Sequence, residues 1–492
     1  MPDNIPFMTI PIDWRVPGQY IEIDHTKAVR GLPGMPRRIL ILGQRRTTGT
    51  VAAGVLTRVS RKEDGVNYFG RGSMLAQMID ASIKVNPYTE TWALALDDLV
   101  AGVTAAGTIT VTGTATAAGT LYVYVGGVRI AVGIAAAAVA NTIATNIAAA
   151  INANLDLAVT AAAALGVVTL TARHKGVEGN DINIRFSYYD GETIPSGVTL
   201  AIVAMSGGSG NPDVLTAIAA MSTGAYYTIV MPWTDSANMV SMESELSNRW
   251  GGMDMRTGHC FSFKNGTYSG LSTYGSARNS AHTTVPGLNK SPTLPWVIAA
   301  QFAAIADFSA GIDPAVPFRS LSLPDVMAPA EADRFTSQER NLLMYDGIST
   351  IIFDESGKAM IEQIITTYQT NTFGLNDISL LKLNTKWTVD YIRYAFRYAV
   401  ARDFPRHKLA GDDVLPFIQA GQPIATPKLI KNTLIGEAMK LVKVGLIEDI
   451  EQFKRDLIVV RSDADPNRVN AIIPPNIVNQ FDVFAAAVQF IL

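Results

Sequence analysis

Proline limits what the two ends of this chain can become. Residues 468–492 read RVNAIIPPNIVNQFDVFAAAVQFIL, and Pro474 and Pro475 split them into two extended pieces. A residue with no N–H donor continues neither a helix nor a central strand. In the second piece apolar side chains fill both alternating sets: Phe481, Val483, Ala485, Ala487 and Ile491 on one, Phe484, Ala486, Val488, Phe490 and Leu492 on the other. That pattern predicts a strand buried on both faces. Two structures would bury it. Either it pairs inside its own domain, as most terminal strands do, or it adds to a sheet edge of a neighbouring subunit, where main-chain bonds give affinity and alternate side chains give register. At the other end Pro2, Pro6, Pro11, Pro17, Pro33 and Pro36 forbid a long helix, so residues 1–36 read as an extended arm. Within it residues 19–24 alternate, with Ile21 and Ile23 on one side and Tyr20, Glu22 and Asp24 on the other, the pattern of a short strand with one wet face.

Between the ends, residues 38–43 (RILILG) predict a buried strand and residues 72–85 a helix capped by Ser73, with Met74, Leu75, Met78, Ile79 and Ile83 as its apolar face. Residues 90–96 return as a strand, and this order predicts an α/β layer. Composition changes near residue 100. Residues 99–206 are dominated by Ala, Gly, Thr and Val, with almost no charge before Arg173. They predict strands at 108–112, 120–125, 128–132, 166–172, 181–186 and 198–204. Gly126-Gly127 supplies a tight hairpin turn, and a helix over 135–153 carries the seam Val139, Ile143, Ile147 and Ile151. Gly207, Gly208 and Gly210 give a flexible exit. The stretch reads as a β-rich domain inserted at a surface loop. The α/β pattern then resumes to about residue 325. A C-terminal α+β unit over 326–475 follows, with helices at 388–404 and at 426–444, the latter opened by Thr426-Pro427. On the first of these, Tyr391, Ala395, Tyr398 and Val400 are expected inward and Arg393, Arg397 and Arg402 outward. The expected organisation is thus an arm (1–36), a discontinuous α/β domain (37–98 and 207–325), an inserted β-rich domain (99–206), an α+β domain (326–475) and a terminal strand arm (476–492).

Few charges bound the class. Only 17% of the residues are charged, 48% are hydrophobic and the net charge is −3, which suggests a chain buried against other subunits and argues against nucleic acid as the main partner. The one cysteine, Cys260, excludes an internal disulfide framework and fits a reducing compartment. The first twenty residues do not read as a signal peptide. Residues 130–151, mostly Ala with Asn141, Thr142, Thr145 and Asn146, make a poor membrane span. Catalytic signatures fail in turn: no G-x-x-x-x-G-K-[ST], no G-x-S-x-G, and Leu75 where a dinucleotide fingerprint needs glycine. Ser73 opens a helix as a nucleophilic serine can, but none of His25, His174, His259, His282 or His407 lies in a triad motif, so Ser73 reads as a cap. His259-Cys260 reads as core, and Asp412-Asp413 and Asp463/Asp465 as turn or cap residues. No metal, cofactor or catalytic residue is expected. Basic residues do cluster: Arg393, Arg397, Lys428 and Lys431 are either a solvated face or a docking face for an acidic surface.

The C-terminal run Asp465-Pro466-Asn467-Arg468-Val469-Asn470, then Ile473-Pro474-Pro475-Asn476-Ile477-Val478-Asn479-Gln480 and Val483-Phe484-Ala485-Ala486-Ala487-Val488-Gln489-Phe490, resembles the end of contractile tail sheath proteins, the Mu-like phage branch in particular. Val16-Pro17-Gly18-Gln19-Tyr20-Ile21-Glu22-Ile23-Asp24, Ile41-Leu42-Gly43-Gln44 and Thr169-Leu170-Thr171-Ala172-Arg173-His174-Lys175-Gly176 with Glu178-Gly179-Asn180-Asp181-Ile182 resemble the start and the inserted domain of the same family. The resemblance implies a non-enzymatic protomer stacked in hexameric rings around an inner tail tube, with baseplate and tail terminator proteins as further partners and neither direct nucleic-acid binding nor membrane insertion. It implies a non-catalytic subtilisin-like α/β layer and terminal arms exchanged between protomers through Tyr20, Ile21, Ile23, Phe481, Val483, Phe484, Val488, Phe490 and Leu492. It implies an inward C-terminal unit, on which Arg393, Arg397, Lys428 and Lys431 are the tube-facing candidates. It also implies assembly in a bacterial host cytoplasm and a place in the contractile tail of a virion. A hydrolase on the α/β layer, or a surface or glycan-binding module in residues 99–206, are the alternatives.

Overall fold

The structure, a computed structural model, describes residues 16–19, 32–417, 419 and 422–491. The arm residues Tyr20, Ile21, Ile23 and Leu492 lie outside the described residues. The chain forms two compact units, Arg37–Lys386 and a second unit of residues 1–36 with 387–492.

In the larger unit the elements run β1 Arg38–Gln44, β2 Leu56–Val59, α1 Lys62–Phe69, α2 Met74–Val85 and β3 Glu90–Leu96. The insertion follows: β4 Thr104–Gly113, β5 Gly119–Val125, β6 Val128–Ile134, α3 Ala140–Ala153, β7 Val159–Ala164, β8 Val167–Lys175, β9 Ile184–Phe186 and β10 Val198–Ser206. The chain then returns through α4 Leu215–Met221, β11 Thr228–Val230, α5 Ser236–Trp250, β12 His259–Phe261, β13 Lys264–Asn265, α6 Tyr268–Ser276, β14 Thr283–Leu288, α7 Pro295–Ile312, α8 Ser337–Tyr345, β15 Ile348–Phe353 and β16 Ala359–Gln363.

These strands form one sheet in the order β16-β15-β14-β12-β11-β1-β3-β2, with β13 beside β14. From β15 to β3 neighbours run parallel, and β2 and β16 close the edges antiparallel. Ile39, Leu40, Ile41 and Leu42 of β1 have no exposed surface, as a central parallel strand covered by helices on both faces requires. Each such side chain contributes about 1.5–3 kcal/mol on full burial. Leu40 and Leu42 join Val214, Met221, Met239, Met242, Leu246, Leu271 and Leu343 from α4, α5, α6 and α8 in one core; α2 and α7 pack together and against β1. Helix α7 is long and apolar enough to cross a membrane, but most of it is buried inside this unit. Ser73 caps α2, its Oγ accepting from the Ala76 N–H at 3.2 Å.

Several expectations need correction. The sheet does not stop at residue 325: β15 pairs with β14 and β16 with β15, so the division falls between Lys386 and Trp387. Strand β14 has no period-2 signal in TTVPGL, yet all six residues are buried between neighbouring strands. Strand β7, VTAAAA, is equally silent in sequence and is set by its register with β8, because strand preference reflects packing on a pleated surface more than intrinsic bias. Helix α3 starts at Ala140, leaving Val139 half exposed as its cap while Ile143, Ile147 and Ile151 are fully buried. The exit at Gly208 is pinned: its N–H donates to the Asn180 side-chain oxygen at 2.8 Å and its carbonyl accepts from the same amide at 3.0 Å.

The insertion consists of the sheets β10-β4-β8-β7 and β6-β5-β9 with α3. Gly126 and Gly127, at φ 58° and 86°, make the β5–β6 turn. A Cβ on Gly126 would come within 2.5 Å of the Leu294 side chain, so this turn is also where the insertion seats against the α/β layer.

In the smaller unit the later part of α9 (Leu383–Asp403) is followed by β17 Lys408–Leu409, β18 Ile424–Ala425, α10 Pro427–Lys443, β19 Ile447–Glu448, α11 Ile450–Asp456, β20 Ile458–Arg461, β21 Val469–Ile472 and β22 Asn476–Ile477. Helix α9 buries Ile392, Ala395, Phe396 and Ala399, the i, i+3, i+4, i+7 stripe. Ala395 is buried as expected, while Tyr398, expected inward, is 44% exposed, because Ile392, Phe396 and Ala399 form the rest of the stripe. Phe396 stacks on Phe453 of α11, centroids 5.8 Å apart. Thr426 caps α10 by accepting from the Leu429 N–H, with Pro427 in the first turn as expected.

The terminal strand differs most. Regular pairing ends with β22, and residues 478–491 join no sheet. Phe481, Val483, Phe484, Val488 and Phe490 are 66–90% exposed. Among the described residues the expected strand buried on both faces is not formed: residues 478–491 pair with no strand of their own unit.

Candidate assembly surfaces

Three features of the smaller unit bear on assembly. The first is that uncovered C-terminal segment. The second is the hairpin β20–β21, in which Ile458 faces Ile472 and Val460 faces Asn470. Ile458, Val460 and Ile472 are 49%, 48% and 62% exposed. Among the described residues the two strands pair only with each other, which leaves their outer edges available for pairing, and an isolated two-stranded hairpin is marginal in water. Its turn is built by the acidic run at 463–467: Asp465 Oδ1 accepts from the Asn467 N–H at 2.9 Å, as a turn residue should. Strand β21 falls in the first of the two extended pieces seen in sequence, but that the hairpin leaves apolar side chains exposed is seen only in the structure. The signal was Ile458 and Val460 alternating against a turn.

The third feature is the seat of the N-terminal segment. Tyr391 Oη donates to the Pro33 carbonyl at 3.1 Å and Tyr394 Oη to the Gly34 carbonyl at 3.2 Å, so one face of α9 holds residues 33–34. Burial, with the Glu437 carboxylate nearby, pushes the Tyr391 phenol up to about 12, which keeps it a donor. The chain just before the larger unit therefore runs over the C-terminal helix.

The basic residues are not equivalent. Arg397 and Lys428 are exposed, Lys431 is half-buried, and Arg393 lies 3.6 Å from the Asp390 carboxylate. Arg402, expected outward, pairs with Asp403 at 2.7 Å. Asp412 Oδ1 accepts from the Lys428 N–H at 2.9 Å, stabilising the start of α10, a capping use of the carboxylate.

Ser73 carries no catalytic arrangement. The fold brings His174 and Asp98 to this helix start, which the sequence did not disclose because the two lie 76 positions apart. His174 Nδ1 is 3.0 Å from Asp98 Oδ1, and its Nε2 accepts from the Met74 N–H at 3.1 Å. That geometry fixes a neutral imidazole with Nδ1–H donating to Asp98, and its one lone pair is already used. It has no base function left for Ser73, whose side chain is buried and caps α2. The cluster is a joint: Gln44 Nε2 donates to Asp98 and to the Lys175 carbonyl, tying β1, β3 and β8 together. His259 and Cys260 are core residues as expected; burial pushes the imidazole well down and the thiol up. Among the described residues no group of three His, Cys, Asp or Glu side chains is placed to hold a metal.

Comparison with known proteins bears on these surfaces. Residues 376–491 match the phage tail sheath C-terminal domain and residues 207–367 the phage tail sheath protein central domain. The Mu-like prophage FluMu tail sheath protein of Haemophilus influenzae is 38% identical over 489 residues, 99% of this chain and 100% of that protein. The chain belongs to the phage tail sheath family. A sheath tail protein of Listeria innocua shares its fold, with a TM-score of 0.50 at 12% identity, over 92% of this chain and 94% of that one. One from Desulfitobacterium hafniense aligns with a TM-score of 0.48 at 14% identity, over 94% and 100%.

Proposed function

We propose that this protein is the structural protomer of a contractile tail sheath, stacking as hexameric rings around an inner tube and contracting to drive that tube through a target envelope. The observation that carries the reading is the C-terminal segment: Phe481, Val483, Phe484, Val488 and Phe490 are all more than 60% exposed, which a chain acting alone has no reason to maintain. In this reading the segment adds as a strand to the open edge of β20–β21 in a neighbour, and Tyr20, Ile21 and Ile23 of the N-terminal arm do the same from the other side. Strand addition needs main-chain edges and alternating apolar residues, and the hairpin offers both. The α/β layer is then a non-catalytic, subtilisin-like scaffold, in keeping with the occupied His174. Arg397 and Lys428 face the tube, with Arg393 and Lys431 beside them. Baseplate and terminator proteins cap the two ends of the polymer, which is built in the host cytoplasm and carried in the virion. Electron microscopy of the purified chain tests this directly: striated tubes or stacked rings are expected, and a protein that stays monomeric at high concentration would count against it.

A further inference from the structure

One side chain covers the outer edge of strand β7. In the sheet β10-β4-β8-β7 this strand is the last and, among the described residues, pairs only with β8. The hairpin joining the two turns through Leu165 and Gly166, at φ 50° and 78°. Across a two-residue turn the flanking residues, here Ala164 and Val167, bond to each other. Bonded and non-bonded pairs then alternate along an antiparallel ladder, so Ala162, Thr160 and Ala158 also turn their main-chain groups toward β8. The Arg173 N–H, donating to the Ala158 carbonyl at 2.8 Å, keeps that phase. The N–H and C=O groups of Val159, Ala161 and Ala163 therefore point away from the sheet.

Ala161 is the middle of these three, and Asn152 of α3 takes both of its groups. The Ala161 N–H donates to Asn152 Oδ1 at 2.9 Å, and Asn152 Nδ2 donates to the Ala161 carbonyl at 2.7 Å. A side-chain amide presents a donor and an acceptor together, so it meets the edge as the backbone of an adjoining strand would. An incoming strand has to make those same two bonds. Edges are commonly closed by lysine, proline or a bulge. The opposite edge strand, β10, has a register shift between Val203 and Ser206. Residues 159–164 read VTAAAA, with no charge and no proline, and β7 pairs with β8 without a shift. The edge has Asn152 instead.

We propose that Asn152 is a guard residue, which keeps β7 of a second copy from adding antiparallel to this edge. Strand β7 on β7 is one surface meeting itself, so the joined form is a closed pair, its two four-stranded sheets run into one. Such a pair leads nowhere in a polymer, and closing the β7 edge confines strand addition to other edges of the chain. The inference stands on the geometry of the insertion and does not need the sheath reading.

The test is sedimentation velocity on the full-length chain, kept below the concentration at which any polymer appears. Asn152 is exposed, and Asn152→Ala removes both bonds. This variant should pass from monomer to dimer as its concentration rises, over a range in which the parent stays monomeric. Ala162 is exposed on β7, and adding Ala162→Lys puts a charge on the bare edge, which should return the dimer to monomer. The second substitution restores neither bond to Asn152. Association caused by a damaged fold would therefore persist in the double variant, whereas edge pairing would not. An Asn152→Ala chain that stays monomeric, or a dimer that Ala162→Lys leaves in place, would overturn the guard. Neither result bears on whether the unsubstituted chain forms tubes.

Discussion

Glu178 is fully buried in the turn at 177–181 between the insertion and the α/β layer. Burial, reinforced by the nearby Asp181, pushes its carboxyl up to about 8. The folded state therefore holds a proton that the unfolded chain releases near pH 4.5. The stability associated with that proton is fully present below about pH 4.5 and is lost as pH rises toward about 8, by at most about 1.4 kcal/mol per pH unit. Glu178→Gln keeps the shape and cannot ionise. Its melting temperature should equal that of the parent near pH 4.5 and exceed it by several degrees at pH 8.5. Parallel melting curves across that range, measured by circular dichroism, would show that the carboxyl is ionised in place and that the joint tolerates it. A second residue at this joint, His174, depends on being neutral for a different reason: its Nε2 is an acceptor for the backbone of α2.

At the scale of elements, the insertion is a separate pair of sheets held to the layer at a few places: the Gly126 turn on Leu294, His174 on Asp98 and Met74, and Arg71 on Asp156 at 2.8 Å. None of these is a strand of the main sheet. Replacing residues 99–206 with a short Gly/Ser linker should leave a folded protein that still forms ordered tubes, melting somewhat lower. A soluble, folded product that no longer assembles would give the insertion a part in the lattice. Period and punctuation made some elements legible beforehand: RILILG as β1, Ser73 and Thr426-Pro427 as helix starts, and Gly126-Gly127 as the hairpin turn. Where the signal failed, tertiary contacts decided the outcome. TTVPGL becomes a strand because β12 and β15 flank it, and VTAAAA because it pairs along β8 at the sheet edge; on α9, Tyr391 and Tyr394 spend their hydroxyls on the carbonyls of residues 33–34 rather than on the core. The arm residues carry a strand pattern in sequence, but residues 478–491 form no strand in the described chain, and sequence could not tell a strand paired at home from one left open. The edges of β20–β21, which bear on that choice, appear only once the fold is built.

For the whole molecule, the account rests on where residues 478–491 are buried. If they pair in a neighbour, their removal takes nothing from the fold that carries them. If they pair at home, removing several buried apolar side chains at about 1.5–3 kcal/mol each would consume most of a domain's margin of about 5–15 kcal/mol. The most direct measurement is sedimentation velocity combined with thermal melting on a chain lacking residues 484–492. The account predicts a soluble monomer with the melting temperature of the unassembled full-length chain, unable to polymerise at concentrations where the full-length chain forms tubes. A truncated chain that melts far below the full-length protein, or one that still forms tubes, would contradict it.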